Sequence, residues 1–99
     1  MVGWGKNNRS KNMKYTKQEI ENKVRQMIVD AIGATPYQIT EEKRLKEDLG
    51  MDSLDCVELE LTIEEGFGIT VPEAKADEVK TFGDAVRMVE EITGSKEGK

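Results

Sequence analysis

The sequence predicts an all-α fold, a small four-helix bundle of three main helices plus one short helix, with a long first loop. Three observations carry that prediction. Three segments place apolar residues at helical spacing, each opens on a residue pattern that caps a helix, and the one β-like run, Ile69-Thr70-Val71, has no second strand to pair with. At 99 residues with 36% apolar composition, the chain is the size of one domain with one modest core.

The first helix opens at Thr16-Lys17-Gln18-Glu19, where a threonine and a glutamate three residues on can satisfy orphan backbone N–H groups in both directions. Ile20, Val24, Met27, Ile28 and Ala31 follow along one stripe, and Gly33 is placed to end it. Residues 33–51 carry Gly33, Pro36 and Gly50 among the scattered apolar residues Tyr37, Ile39, Leu45 and Leu49, the pattern of a long loop anchored at intervals. Loops of that length are usually functional. A second helix opens at Asp52-Ser53-Leu54-Asp55 and runs to about Glu65, where Gly66 and Gly68 around Phe67 are expected to break it. Ile69-Thr70-Val71 is then a loop, Pro72 suits the first turn of a short helix through about Glu78, and Thr81-Phe82-Gly83-Asp84 opens the last helix. Phe82, Ala85, Val86, Val89 and Ile92 give that helix its apolar spacing before Gly94.

The formal charge of −5 conceals a split. Residues 1–18 carry Lys6, Arg9, Lys11, Lys14 and Lys17 with no acid, whereas residues 19–99 set 10 basic residues against all 20 acids. The first dozen residues hold almost nothing apolar besides Val2 and Trp4 and cannot bury enough surface to fold. Residues 1–14 are therefore expected to be a disordered basic arm, a remnant or extension, with Met13 a candidate original start. Residues 15–94 form the folded domain and 95–99 a disordered tail. Five cations without interleaved aromatics, ahead of an acidic body, do not make a nucleic-acid site.

Several function classes fall away on composition. The chain has no histidine, which removes Ser-His and Cys-His nucleophiles and His-ligated zinc. Cys56 is alone, so no intramolecular disulfide forms. No apolar run approaches the roughly 20 residues that span a bilayer. The acids lack the alternating ligands and glycine of an EF-hand loop, so no metal site is expected.

The second helix has two apolar faces. Advancing ~100° per residue gathers Leu54, Val57 and Leu61 on one side and Cys56, Leu59, Ile63 and Phe67 on the other. A bundle helix needs only one such stripe, so the second is free to meet a partner. From Glu47 to Glu65 there are eight acids and no basic residue, giving the outer stripe a rim of one charge, with Glu58, Glu64 and Glu65 closest to it. Such a surface suits docking on basic partners, although charge runs are more often just solvated faces. Ser53 stands at the N-terminus of this helix, where a phosphate on its hydroxyl would be favoured by the helix dipole. Position alone favours a plain capping role. It is not a catalytic nucleophile, because nothing nearby could relieve an alkoxide.

The run Glu47-Asp48-Leu49-Gly50-Met51-Asp52-Ser53-Leu54-Asp55, continued by Val57-Glu58-Leu59 and by Glu64-Glu65 before Phe67, resembles the acyl carrier protein family over about residues 16–94. The likeness is to the discrete carriers of dissociated fatty-acid synthesis. It implies a carrier rather than an enzyme, with residues 15–94 as an acyl carrier domain. A phosphopantetheinyl transferase would place the 4'-phosphopantetheine arm of coenzyme A on Ser53, leaving a terminal thiol that holds acyl groups as thioesters. Asp52 and Leu54 match the rest of the attachment motif. Asp55, Glu58, Glu64 and Glu65 match acids that dock acyl-handling enzymes with basic patches, and Val57 and Leu61 match the apolar part of that surface. Similar proteins shelter the acyl chain between helices, which would involve Leu59, Ile63 and Phe67 unless these are ordinary core.

The resemblance further implies a cytoplasmic monomer that engages neither nucleic acid nor membrane. The sequence departs from the family pattern at Gly66 and Gly68, at Glu60, where an apolar residue is common, and at Lys75 in a short helix that is typically acidic. Those departures leave open a specialised carrier for polyketide, unusual lipid or cell-envelope acylation, with an amino-acid carrier less favoured. An unmodified acidic adaptor using Leu54, Val57 and Leu61 competes from outside the class. Cys56 is expected to face inward as a small buried residue.

Overall fold

The computed structural model describes residues 15–94, and the basic arm and tail expected at either end lie outside the described residues. Helix α1 spans Lys17–Ile32. Its start is the expected reciprocal cap: the Glu19 N–H donates to Thr16 Oγ1 at 3.1 Å and the Thr16 N–H to Glu19 Oε1 at 2.9 Å. Ile20, Val24 and Ile28 are buried, but Ala31 is exposed, because the last turn meets the core through Val29 and Ile32 instead.

Helix α2 spans Ser53–Phe67, two residues beyond the expected end. Gly66 does not break it. A Cβ there would lie 2.6 Å from Met27 Cε, the mobile end of a side chain that fills the space, and the packing of α2 on α1 carries the helix past glycine's poor propensity. The helix stops at Gly68, whose φ of 67° a side chain would disfavour and whose N–H donates to the Glu64 carbonyl. Helix α3 covers Glu73–Glu78 with Pro72 just outside it as the cap, and α4 covers Phe82–Thr93. Ile69-Thr70-Val71 is a loop, as expected. α1 packs against both α2 and α4, and α3 leans on α4, where Lys75 Nζ reaches Glu91 Oε1 at 2.6 Å.

The core joins Ile20, Val24 and Ile28 to Leu59, Ile63 and Phe67 of α2 and to Phe82, Val86 and Val89 of α4. From the first loop, Ile39, Leu45 and Met51 are buried and Leu49 is partly so. Tyr37, expected as an anchor, is 91% exposed. The 3-10 turn Pro36–Gln38, closed by Gln38 Oε1 accepting the Thr35 N–H, leaves Tyr37 outside while the anchoring falls to Ile39.

That loop is sewn to the start of α4. The Phe82 N–H donates to the Lys43 carbonyl and the Gly83 N–H to the Glu41 carbonyl, both at 3.0 Å, and the Leu45 N–H returns to the Lys80 carbonyl at 2.9 Å. Arg44 and Thr81 form an isolated antiparallel bridge between these contacts. The orphan donors of the helix N-terminus are thus satisfied by the loop rather than by water. Asp84 completes the seam, its Oδ2 accepting the Lys80 and Thr81 N–H groups. Burial pushes its carboxyl up, but those two hydrogen bonds and Arg87 outweigh burial and hold it below the usual range. Arg25 fastens the other side, its Nε donating to the Ile39 carbonyl at 3.1 Å and its guanidinium lying 5.0 Å from the Phe82 ring centre.

Candidate functional site: the start of the second helix and the groove beside it

α2 begins with a reciprocal cap made by two aspartates. The Asp55 N–H donates to Asp52 Oδ1 at 2.9 Å and the Asp52 N–H donates to Asp55 Oδ2 at 3.2 Å. Asp52 is therefore the cap residue and Ser53 the first residue inside the helix. The capping role that position favours for Ser53 is already filled. Its side chain is exposed and its hydroxyl has no hydrogen-bond partner among the described residues. The N–H groups of Ser53 and Leu54 likewise meet no acceptor among them, so two backbone donors stand beside that hydroxyl.

Beside Ser53 opens a groove of about 480 Å³ bounded by α2, α3, α4 and the end of the first loop. Leu59 and Ile63 form its floor with Ala85 and Met88 of α4, and Ala76 and Val79 form the far wall. Cys56 lines the same groove and is half-buried rather than enclosed. Burial is the main reason its thiol is raised, and Lys46 only partly opposes this, so it is not an activated nucleophile. Phe67 stands apart, its ring edge-on to Tyr15 at 5.0 Å on the α1 side.

On the face of α2 turned away from the core, Leu54 is 65% exposed, Val57 50% and Leu61 53%, forming the stripe the sequence places there, with Val57 also bordering the groove. Glu58 and Glu65 are exposed beside it. Two other acids are committed within the fold: Asp55 to the cap, and Glu64 to the next loop, its Oε2 accepting the Val71 N–H at 2.8 Å. The capping pattern at Asp52-Ser53-Leu54-Asp55 implies the first tie, and nothing in the sequence implies the second. Glu64 stands seven residues from its partner across a helix end, and no local pattern signals such a latch.

A profile describing the phosphopantetheine attachment site matches residues 22–89. The acyl carrier protein of Akkermansia muciniphila is 43% identical over 75 residues, which is 76% of this chain and 94% of that protein. The chain belongs to the acyl carrier protein family. It thus carries an attachment site for 4'-phosphopantetheine, and what the helices present fits that group: an exposed, unpartnered hydroxyl, two free N–H groups beside it for a phosphate, and an apolar groove at its edge. No helix among the described residues is long and apolar enough to cross a membrane, and no group of three or more acids or cysteines among them is arranged to hold a metal ion.

Proposed function

We propose that this acyl carrier protein takes its arm on Ser53 and delivers acyl intermediates to the enzymes of fatty-acid synthesis in the cytoplasm, as a monomer that performs no catalysis itself. The observation carrying the assignment is that Asp52 caps α2, leaving the Ser53 hydroxyl exposed at the mouth of the groove. The arm, once bound, supplies a terminal thiol for acyl groups as thioesters. Ser53 supplies only the oxygen. In the transfer the Ser53 oxygen would bond to the pantetheine-side phosphorus of coenzyme A as adenosine 3',5'-bisphosphate leaves, and, with no histidine in the chain, its proton would go to a base that the transferase supplies. The N–H groups of Ser53 and Leu54 would be available to the phosphodiester, and Asp52 and Leu54 would frame the site for the transferase.

Acyl-handling partners dock, in this reading, on Leu54, Val57 and Leu61, with Glu58 and Glu65 steering basic patches toward the stripe. Asp55 and Glu64 contribute charge from positions fixed by their backbone hydrogen bonds. Leu59 and Ile63 form the floor against which a carried chain is sheltered, whereas Phe67 belongs to the core shared with α1.

Intact mass after incubation with coenzyme A, magnesium and a broad-specificity phosphopantetheinyl transferase tests this. One added arm on the parent and none on Ser53→Ala is expected, with both melting at the same temperature, since the exposed hydroxyl makes no hydrogen bond among the described residues. An arm on Ser53→Ala, or none on well-folded parent with two different transferases, overturns the assignment and favours an unmodified adaptor.

A further inference from the structure

Five charged side chains line the groove beside Ser53, and four of them, Lys46, Glu47, Asp77 and Lys80, stand exposed at its rim. The fifth, Glu60, is half-buried. It lies seven residues beyond Ser53 on the same side of α2, about 10 Å along the axis, above the apolar floor of Leu59, Ile63, Ala85 and Met88. Among the described residues no cation is within ion-pair distance of Glu60 and no donor is hydrogen-bonded to it. A carboxylate in that position keeps its charge only by retaining water.

We infer that Glu60 selects which acyl chains the groove shelters, accepting short chains or chains bearing a polar group and turning away long saturated ones. The inference rests on the carrier reading above and deepens it. A saturated chain laid along the floor past Glu60 strips the carboxylate of its remaining water and offers no hydrogen bond in return, so the benefit of burying the chain is offset by the charge left unsolvated. A short chain stops before it. A hydroxyl on a longer chain donates to the carboxylate and restores what the water gave. Burial, and then the neighbouring acids Glu64, Glu73 and Asp77, push the Glu60 carboxyl above its ordinary value, as expected of a charge already short of solvent.

The test uses the full chain and two variants. Glu60→Leu makes the wall apolar, and Glu60→Gln removes the charge while keeping the shape. Each is loaded with the arm carrying a butyryl, dodecanoyl or 3-hydroxydodecanoyl group, loading is verified by intact mass, and melting is compared with the unacylated form. Dodecanoyl is expected to raise the melting temperature of Glu60→Leu by at least about 4 °C more than that of the parent, with Glu60→Gln between. Butyryl should affect all three alike, and the 3-hydroxy chain should stabilise the parent more than the saturated one. An equal rise from dodecanoyl in parent and Glu60→Leu overturns the inference and leaves the carrier reading intact. No loading on any of the three overturns both.

Discussion

Substituting Gly83 by alanine tests how the site-bearing half of the molecule is held together. Gly83 is buried near the start of α4, and a Cβ there would sit 3.0 Å from the Glu41 carbonyl oxygen and 3.4 Å from Glu41 Cβ. The obstacle is backbone, so it cannot swing aside as the end of a side chain would. The loop must retreat, stretching the bonds from Gly83 to Glu41 and from Phe82 to Lys43. Each such bond contributes about 0.5–1.5 kcal/mol net, while alanine in a helix returns at most about 1 kcal/mol over glycine. A net loss of up to about 2 kcal/mol follows, with each kcal/mol lowering the melting temperature of a domain this size by about 4–8 °C. Thermal melts followed by far-ultraviolet circular dichroism, with amide exchange at Phe82 and Gly83, measure both parts. Gly66→Ala is the internal contrast, because its obstacle is the terminal methyl of Met27, which can rotate away, and that variant should be neutral or more stable. If Gly83→Ala melts at or above the parent, or if the two amides exchange no faster, the seam does not carry the stability ascribed to it.

Glu60→Gln should stabilise the domain at neutral pH. Burial and the acids Glu64, Glu73 and Asp77 raise the folded-state pKa of Glu60 above its unfolded value of 4.5, so the folded state binds the proton more tightly and the ionised group opposes folding at every pH above that raised value. The variant's advantage should shrink as pH falls through the folded pKa and vanish below the unfolded one, and a urea-denaturation series from neutral to acid pH that shows a constant advantage would contradict this. Salt should stabilise the parent, because the eight acids from Glu47 to Glu65 have no base among them and their repulsion is screened within about 10 Å at 0.1 M. A melting temperature flat or falling from low to physiological ionic strength would argue against it. Leu54→Ala combined with Leu61→Ala should leave stability nearly unchanged, since both side chains are more than half exposed, yet weaken binding to a basic partner enzyme measured by calorimetry.

The parts of this fold that are legible in the sequence are those governed by neighbours along the chain. The caps at Thr16, Asp52 and Thr81 each pair a side chain with a backbone N–H three residues away, and all three form as the spacing implies. The two apolar faces of α2 are equally local, since helical geometry alone separates Leu54 from Leu59. Tyr37 and Gly66 depart from what their local sequence implies because their roles depend on what lies across the core. One turn directs an aromatic outward, and packing against α1 carries a helix through a glycine. The seam between residues 41–45 and 80–83, the latch from Glu64 to Val71 and the half-buried setting of Glu60 are all pairings between segments, for which no spacing rule exists. At Ser53 the sequence implies an exposed hydroxyl, and the structure supplies the reason it is free, which is that its neighbour does the capping.

The bridge between Arg44 and Thr81 also has a mechanical meaning. It closes the backbone into a ring that contains α2 and α3, so Ser53 sits on a segment fastened at both ends. A load on the start of α2 is therefore shared between the seam's hydrogen bonds, which meet it in shear, and the packing of α2 on α1. The segment that holds α2 and α3 is thereby a closed loop with two independent fastenings, one of backbone hydrogen bonds and one of apolar packing.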